Sequence, residues 1–357
     1  MIKKAKKNKI AIACQGGGSQ TAFTAGVLKS FFENELHLKQ EIVSLTGTSG
    51  GAVCAALAWY GLLKAARGDK TPIQDRIMAF WHNLSAMLPQ ESALDGLLTQ
   101  WMRVIDQGML PKFELSPMSL PSQWSFSWLT SILPRHEFTD LKELLEKHIK
   151  FDELHSLTRP AGPVLLVGAA DVLTGDLKVF NSREGEISVE AILASAAVPS
   201  LFPAVQVGAH YYWDGLFSDN PPVKEVIRPM YVGGENVPDE IWIIQINPKA
   251  CETVPSTPAE IIDRRNEMIG NVSMLQSLEF VEVINRLLKE KAISEEVLNR
   301  LGVSKRDPIE VHFIEMSEAL QGSLDYVSKL SREPSHIKSL IEDGERQGLA
   351  FLERHGV

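Results

Sequence analysis

The sequence of 357 residues has few cysteines and no long apolar run. Three cysteines that are odd in number, widely spaced and flanked by apolar residues predict buried thiols in a reducing compartment, not a disulfide or zinc framework: Cys14, Cys54 and Cys251. No stretch reaches the roughly 18 apolar residues of a membrane-spanning helix, and the run at residues 10–14 is too short for a signal peptide. We therefore expect a cytoplasmic protein.

Positive charge is also scarce. Lysine and arginine number 36 against 45 aspartates and glutamates, and the net charge of −9 would repel nucleic acid and anionic membranes. The exception is the stretch of residues 1–9, which carries Lys3, Lys4, Lys6, Lys7 and Lys9. We expect this basic N-terminus to be flexible, and its attraction to anionic headgroups leaves a peripheral membrane contact open.

The sequence does contain enough apolar residues for one large core, since 44% of them are hydrophobic. It opens with two strand-loop-helix units. Apolar residues 10–14 precede helical spacing over 21–33, and apolar residues 42–45 precede an alanine-rich helix over 52–66. Repeated units of this kind predict an α/β fold in which helices cover a parallel sheet.

The regular pattern stops in a segment rich in tryptophan and methionine, at about residues 86–135. Because Trp and Met suit a surface that is apolar on one side and wet on the other, this insertion is either a lid that meets lipid or an extra layer of core. Beyond it, we expect an antiparallel hairpin from residues 164–171 and 177–180. The other expected elements are a helix over 189–197, strands over 205–213, 241–246 and 309–313, and helical stretches over 258–301 and 337–352.

The pentapeptide Gly47-Thr48-Ser49-Gly50-Gly51 fits the G-x-S-x-G pattern of a nucleophile elbow, with an apolar strand before it and a helix after it. A serine on so sharp a turn adopts strained backbone angles, and the neighbouring glycines lack the Cβ atoms that would clash there. The start of the next helix also favours negative charge at Ser49. The alternative is an ordinary glycine-rich turn.

A second loop, Gly16-Gly17-Gly18, ends the first strand and opens the first helix. Its N–H groups point out of the carboxyl edge of the sheet, where an anion could bind. A nucleotide-phosphate loop is the alternative, but the dinucleotide fingerprint needs glycine where Thr21 stands, and the P-loop ending is absent. Because two parallel units place both loops on one edge, these amides are candidates for an oxyanion hole facing Ser49.

A third candidate site residue is Asp214. It is followed by Gly215 and comes after the apolar residues 211–213, although Asp-Gly is also common as a simple turn.

Taken in chain order, four segments resemble the patatin-like phospholipase family: GGGSQTAFTAGVL at 16–28, GTSGG at 47–51, ASAAVPSLFPAV at 194–205 and WDGLFSDNPP at 213–222. The resemblance covers roughly residues 10 to 247.

This resemblance implies a three-layer α/β/α fold with a mostly parallel sheet and hydrolysis of lipid acyl esters or phospholipids. It implies a catalytic dyad of Ser49 and Asp214 without histidine, an oxyanion hole at the glycine loop, and neither cofactor nor metal. It makes residues 10–250 the catalytic domain and residues 251–357 a mainly helical part packed on the same domain.

Two positions depart from the family pattern. Family members usually carry Arg or Lys and then Gly after the glycine loop, whereas this sequence has Gln20 and Thr21. Loss of that cation removes a contact for a phosphate headgroup, which bears on phospholipid preference more than on hydrolysis. It also keeps open a second class of function, a patatin-fold lipid-binding or regulatory protein with little turnover.

A Ser-Asp-His hydrolase is a further alternative, with the histidine taken from His312, His336 or His355. That fold builds several strands before its elbow strand, and only one fits here.

The dyad requires that Asp214 be a stronger base than an ordinary Asp, because a pKa of about 3.9 is low for a group that accepts a serine proton. Partial burial beside Trp213 and Phe217 is expected to raise that pKa.

Overall fold

A computed structural model of the chain describes residues 7–85, 141–160, 162–199, 202–251, 253–300, 307–325 and 327–357. The insertion at 86–135 and most of the basic N-terminus lie outside these residues, and so do their predicted roles. Within the described ranges, no helix has the length and the apolar character needed to cross a membrane.

One sheet forms the centre of the fold. Its strands are β1 (Lys9–Cys14), β2 (Glu41–Gly47), β3 (Val164–Asp171), β4 (Leu177–Asn181), β5 (Val205–Val207), β6 (His210–Asp214), β7 (Glu240–Gln245) and β8 (Glu310–Glu315). Strands β3, β2, β1, β7 and β8 are neighbours in that order and pair in parallel, whereas β4 and β6 pair antiparallel with β3, and β5 with β6. The expected mostly parallel sheet with an antiparallel β3–β4 hairpin is confirmed.

Helices surround this sheet. They are α1 (Ala22–Glu33), α2 (Leu36–Lys39), α3 (Gly50–Ala65), α4 (Ile73–Leu84), α5 (Leu141–His148), α6 (Leu154–Leu157), α7 (Val189–Ser195), α8 (Pro229–Val232), α9 (Pro258–Lys289), α10 (Glu295–Arg300), α11 (Glu318–Gln321) and α12 (Pro334–His355). Three short 3-10 turns flank the site described below, at Gly18–Thr21, Gly215–Phe217 and Val327–Leu330.

Both faces of the sheet are buried, because successive side chains of a strand point to opposite sides. Along β1, Ile10 and Ile12 pack into a core with α1, α3 and α4. Ala11 and Ala13 face a second core, which residues 223–237 and α9 close on the other side. Helical layers therefore cover both faces of the sheet, as the family resemblance implied.

The last helix, α12, packs along α1 through paired glycines. A Cβ atom added to Gly26 would lie 2.1 Å from the Ile341 carbonyl oxygen, and one added to Gly344 would lie 2.1 Å from that of Phe23. Only glycine lets the two backbones approach so closely. This contact joins residues near the C-terminus to the helix of the first strand-loop-helix unit.

The structure corrects three of the sequence predictions. The strand expected at 205–213 is a tight hairpin of β5 and β6, because Gly208 reverses the chain with a φ of 62°. The helical stretch 258–301 divides into α9 and α10, and Lys291 between them has a φ of 50°. Cys251 is exposed because it lies in the connection between β7 and α9, whereas Cys14 and Cys54 are buried free thiols as expected.

Candidate active site

The loops that follow β1 and β2 touch each other at the carboxyl edge of the sheet. These parallel strands are in register, with Cys14 opposite Gly47, so the loops begin side by side. A Cβ atom on Gly16 would lie 2.6 Å from the Thr48 carbonyl oxygen and 2.9 Å from Cβ of Ser49. These distances are far below van der Waals contact, so the elbow can approach the first loop only if residue 16 is glycine.

Ser49 is the N-cap residue directly before α3 and has a strained conformation. Its φ of 56° and ψ of −132° lie where residues with a side chain are rarely found. The glycines around it allow the turn, since a Cβ on Gly47 would lie 2.5 Å from the Gly51 carbonyl oxygen and one on Gly51 would lie 2.3 Å from that of Cys14. Gly50 faces the first loop, where a Cβ would come within 2.6 Å of the Gly18 carbonyl oxygen.

A buried serine ties this elbow to the sheet. The N–H of Ser49 donates to Oγ of Ser195 at 3.0 Å, and that hydroxyl donates to the Gly168 carbonyl oxygen at 2.6 Å. In addition, the Thr48 hydroxyl donates to the Asp219 carbonyl oxygen at 2.5 Å. Ser195 lies within one of the family-like segments, but sequence reasoning gave it no role because its partners are distant in the chain.

Asp214 ends β6 and is almost fully buried, with 1% of its surface exposed. Its Oδ1 accepts the N–H of Leu216 at 2.8 Å, so it caps the following turn as an Asp-Gly pair ordinarily does. Its Oδ2 is buried and has no hydrogen-bond partner of good geometry. The second oxygen is therefore available for chemistry while the first holds the turn.

Burial raises the pKa of Asp214 to about 7, and the Ser49 hydroxyl and the Leu216 N–H oppose this rise. Ser49 and Asp214 line the same cleft, although no well-aligned hydrogen bond joins their side chains. The raised pKa agrees with the expectation from the sequence and makes Asp214 a better base near neutral pH.

The three amides of the glycine loop are not equivalent. Sequence reasoning assigned all of them to an oxyanion hole, but the N–H of Gly16 donates to Oδ1 of Asn220 at 2.7 Å. Gly17 and Gly18 stand at the first turn before α1, where N–H groups lack partners within a helix. Of the three, they are the better placed to receive a negative charge.

Buried polar side chains hold this loop from behind. Oε1 of Gln15 accepts the N–H groups of Ile246 and Asn247, each at 2.8 Å, and its Nε2 donates to Oδ1 of Asn271 at 2.8 Å. Nδ2 of Asn220 donates to the Gly270 carbonyl oxygen at 3.0 Å. The end of β7 and the helix α9 therefore fix the loop after β1.

Sequence reasoning missed these supporting residues. Gln15 directly follows a buried strand, and Asn220 lies in the quoted segment at 213–222, so polarity in an apolar setting was the available signal. Their partners could not be read from the sequence, because Gly16 and Asn220 are 204 positions apart.

The candidate catalytic residues line one cleft with both polar and apolar neighbours: Gly16, Gly17, Gly18, Ser49, Val198, Asp214, Leu216, Asn220, Asn266, Lys329 and Leu330. The apolar members could contact an acyl chain. In the described part of the chain, no histidine lines this cleft and no cluster of His, Cys, Asp or Glu could hold a metal ion. His312 and His355, two candidates for a triad, contact each other at 3.3 Å.

A family model described as patatin-like phospholipase matches residues 12–227, a range that contains the glycine loop, Ser49 and Asp214. The chain belongs to the patatin-like phospholipase family. The match covers more than half of the sequence and confirms the family resemblance that the four segments indicated. Among curated protein sequences, none matches this chain.

Solved structures of two effector proteins are similar to this chain. VipD from Legionella pneumophila is 16% identical with a TM-score of 0.46, over 98% of this chain and 68% of VipD. The type III effector ExoU is 14% identical with a TM-score of 0.35, over 96% of this chain and 52% of that one.

Proposed function

We propose that this protein is a serine acyl hydrolase that cleaves lipid esters or phospholipids, with Ser49 as nucleophile and Asp214 as its base. One observation carries the proposal: a serine in strained elbow geometry and a buried carboxyl group with a pKa of about 7 line the same cleft. Membership of the family supports a lipid substrate. We also propose that the protein acts in the cytoplasm, in peripheral contact with membrane lipid.

In the proposed reaction, Oδ2 of Asp214 accepts the Ser49 hydroxyl proton while Oγ forms a bond to the ester carbonyl carbon. The carbonyl π electrons move to oxygen and give a tetrahedral oxyanion. Collapse of this intermediate breaks the bond to the alcohol, which takes the proton from Asp214 and leaves an acyl-serine. Water then attacks the acyl carbon while Asp214 takes its proton. Collapse of this second intermediate breaks the bond to Ser49 Oγ, which takes the proton back from Asp214, and the fatty acid is released.

The N–H groups of Gly17 and Gly18 are the donors that we assign to the oxyanion. Their position before α1 adds the positive end of the helix dipole. Removal of one such donor costs about a hundredfold to a thousandfold in kcat in other acyl hydrolases. Gly16 would serve differently, since its N–H already binds Asn220 and thereby positions the loop.

Labelling by a fluorophosphonate probe, read by mass spectrometry, tests the nucleophile. We expect Ser49 to be labelled in the wild type and no adduct to form in Ser49→Ala. Hydrolysis of a total lipid extract, with Ser49→Ala as blank, would identify the substrate from the released products. A folded protein that binds lipid vesicles but neither reacts with the probe nor releases fatty acid would instead support the lipid-binding alternative.

The base is tested by Asp214→Asn and by the pH dependence of kcat. Only the carboxylate can accept the serine proton, so kcat should rise as pH increases through about 7 and should be nearly lost in Asp214→Asn. Full turnover by Asp214→Asn, in a protein that Ser49→Ala inactivates, would contradict the dyad.

A further inference from the structure

A segment near the C-terminus, Asp325 with the turn Val327–Leu330, contacts the glycine loop directly. Oγ of Ser19 donates to the Ser328 carbonyl oxygen at 3.0 Å. Nε2 of Gln20 donates to Oγ of Ser328 at 2.8 Å and to the Asp325 carbonyl oxygen at 3.1 Å. Gln20, where the family usually has a cation, therefore binds the turn Val327–Leu330 to the loop.

This turn brings Lys329 against the loop. The carbonyl oxygen of Lys329 lies 2.2 Å from the place that a Cβ of Gly18 would take, so the two backbones are in contact. Lys329 lines the same cleft as Ser49 and Asp214 and also a neighbouring cavity that contains Gln20. Lys329 therefore places a cation next to the glycine loop, although no Lys or Arg directly follows the glycines in the sequence.

The Lys329 ammonium is connected to the loop by a buried asparagine. Nζ donates to Oδ1 of Asn247 at 2.5 Å, and Nδ2 of Asn247 donates to the Gly16 carbonyl oxygen at 3.4 Å. That carbonyl belongs to the same peptide group as the N–H of Gly17. The chain of dipoles therefore runs from a positive charge to one of the two amides assigned to the oxyanion.

We propose that Lys329 is a positioning residue for hydrolysis, which acts through Asn247 to orient and polarise the Gly17 N–H toward the oxyanion. Hydrogen bonds in series strengthen one another, and a charged donor at the start makes the first bond strong. An amide polarised in this way stabilises negative charge better in the transition state than in the ester ground state. This inference rests on the proposed hydrolase function and deepens it.

The surroundings of Lys329 make its charge sensitive to pH. Part of the residue remains accessible to solvent along the two cavities, but its ammonium lies deep enough for burial to lower the pKa of Lys329 to about 8. Glu267 and Asp263 of α9 oppose this shift. Asp325 lines the cavity that contains Gln20 and Lys329. The positive charge is therefore present below pH 8 and is lost as pH rises through that value.

The test compares the full-length wild type with Lys329→Met, which keeps the length of the side chain and removes its charge. We expect kcat on a water-soluble carboxylic ester to fall about tenfold with KM little changed, because the effect is indirect and smaller than loss of a donor. In the wild type, kcat should decline as pH rises through about 8. In Lys329→Met that decline should be absent, and in Lys329→Arg it should move to higher pH because arginine stays charged.

Lys338→Met is the matched control, since Lys338 is an exposed lysine on α12. Its kcat and pH profile should equal those of the wild type, and thermal melting checks that each variant is folded. Asn247→Ala should abolish the additional effect of Lys329→Met, because both act through one chain of hydrogen bonds.

The outcomes separate this inference from the proposed function. A wild type that is folded but hydrolyses no ester would overturn the hydrolase and the inference with it. An active wild type without a decline of kcat near pH 8, or a Lys329→Met variant with wild-type kcat and pH profile, would overturn the role of Lys329 alone. Independent, additive losses in Lys329→Met and Asn247→Ala would overturn the route through Asn247.

Discussion

The two loops that meet at the candidate active site follow the same strand-loop-helix pattern but are held in different ways. The elbow around Ser49 depends mainly on its own glycines, with two distant contacts through the hydroxyls of Ser195 and Thr48. The glycine loop depends on side chains and backbone from distant parts of the chain: Asn220, Asn247, Ser328 and Lys329. The geometry of the candidate nucleophile is thus encoded mainly by adjacent residues, whereas the geometry of the glycine loop requires distant parts of the fold.

The contrast between the two loops predicts the largest loss of kcat for Gly18→Ala. A Cβ at residue 18 would lie 2.2 Å from the Lys329 carbonyl oxygen, and the φ of 58° is unfavourable for alanine, so the loop and the C-terminal turn must separate. We expect kcat to fall at least a hundredfold, as for loss of an oxyanion donor, together with a lower melting temperature. Ester hydrolysis and circular dichroism measure the two effects.

Gly175→Ala is the control for Gly18→Ala. Gly175 also has a positive φ, of 77°, but a Cβ there would meet nothing within 4 Å. Its substitution should cost about 1 kcal/mol of stability and leave kcat unchanged. Equal activity losses in the two variants would mean that a general loss of stability, and not the contact between the glycine loop and the C-terminal turn, lowers kcat.

A smaller loss of activity is expected for Asn220→Ala. This change leaves the Gly16 N–H without its acceptor, and a loop displaced by about 1 Å would lower kcat by about thirtyfold to a hundredfold. Steady-state kinetics on a soluble ester measure the loss, with Asn8→Ala as a control on an exposed asparagine. Wild-type kcat in Asn220→Ala would show that the loop does not need this distant support.

On the elbow side, Ser195→Ala should act on stability more than on turnover. It leaves the buried N–H of Ser49 without its acceptor and removes the hydrogen bond to the Gly168 carbonyl oxygen, which costs about 1–3 kcal/mol of unfolding free energy. The neighbouring glycines still enforce the turn, so kcat should stay within about fivefold of the wild type. Chemical denaturation and kinetics together check this, and a kcat loss equal to that of Asn220→Ala would remove the contrast between the loops.

The same contrast explains which features the sequence could predict. The strand Val164–Asp171 was predicted with its observed bounds because it is a continuous apolar run between turns. The elbow was predictable because strand, glycines and helix are adjacent in the chain. The hydrogen bond from the Gly16 amide to Asn220 and the contact of Lys329 with Gly18 were not predictable, because tertiary packing alone brings those residues together. The hairpin at Gly208 was missed because its flanking strands are only a few residues long.

The smallest expected effect concerns two buried carboxyl groups, one in the cleft and one outside it. Burial raises the pKa of both Asp214 and Glu225 to about 7, and each has one oxygen without a hydrogen-bond partner. The unfolded chain releases these protons near pH 4, so the native state binds protons more tightly, and stability is lost as pH rises from about 4 to about 7. Between pH 5 and pH 8, this loss is about 2.6 kcal/mol for Asp214.

Neutral isosteres should remove that loss at either position. We expect Asp214→Asn and Glu225→Gln to gain stability relative to the wild type as pH rises from 5 to 8, as measured by denaturation at each pH. Only Asp214→Asn should also lose turnover, because Glu225 does not line the cleft. If Asp214→Asn gained no stability at pH 8, the carboxylate would not be desolvated in the native protein, and its raised pKa could no longer support a role as the base.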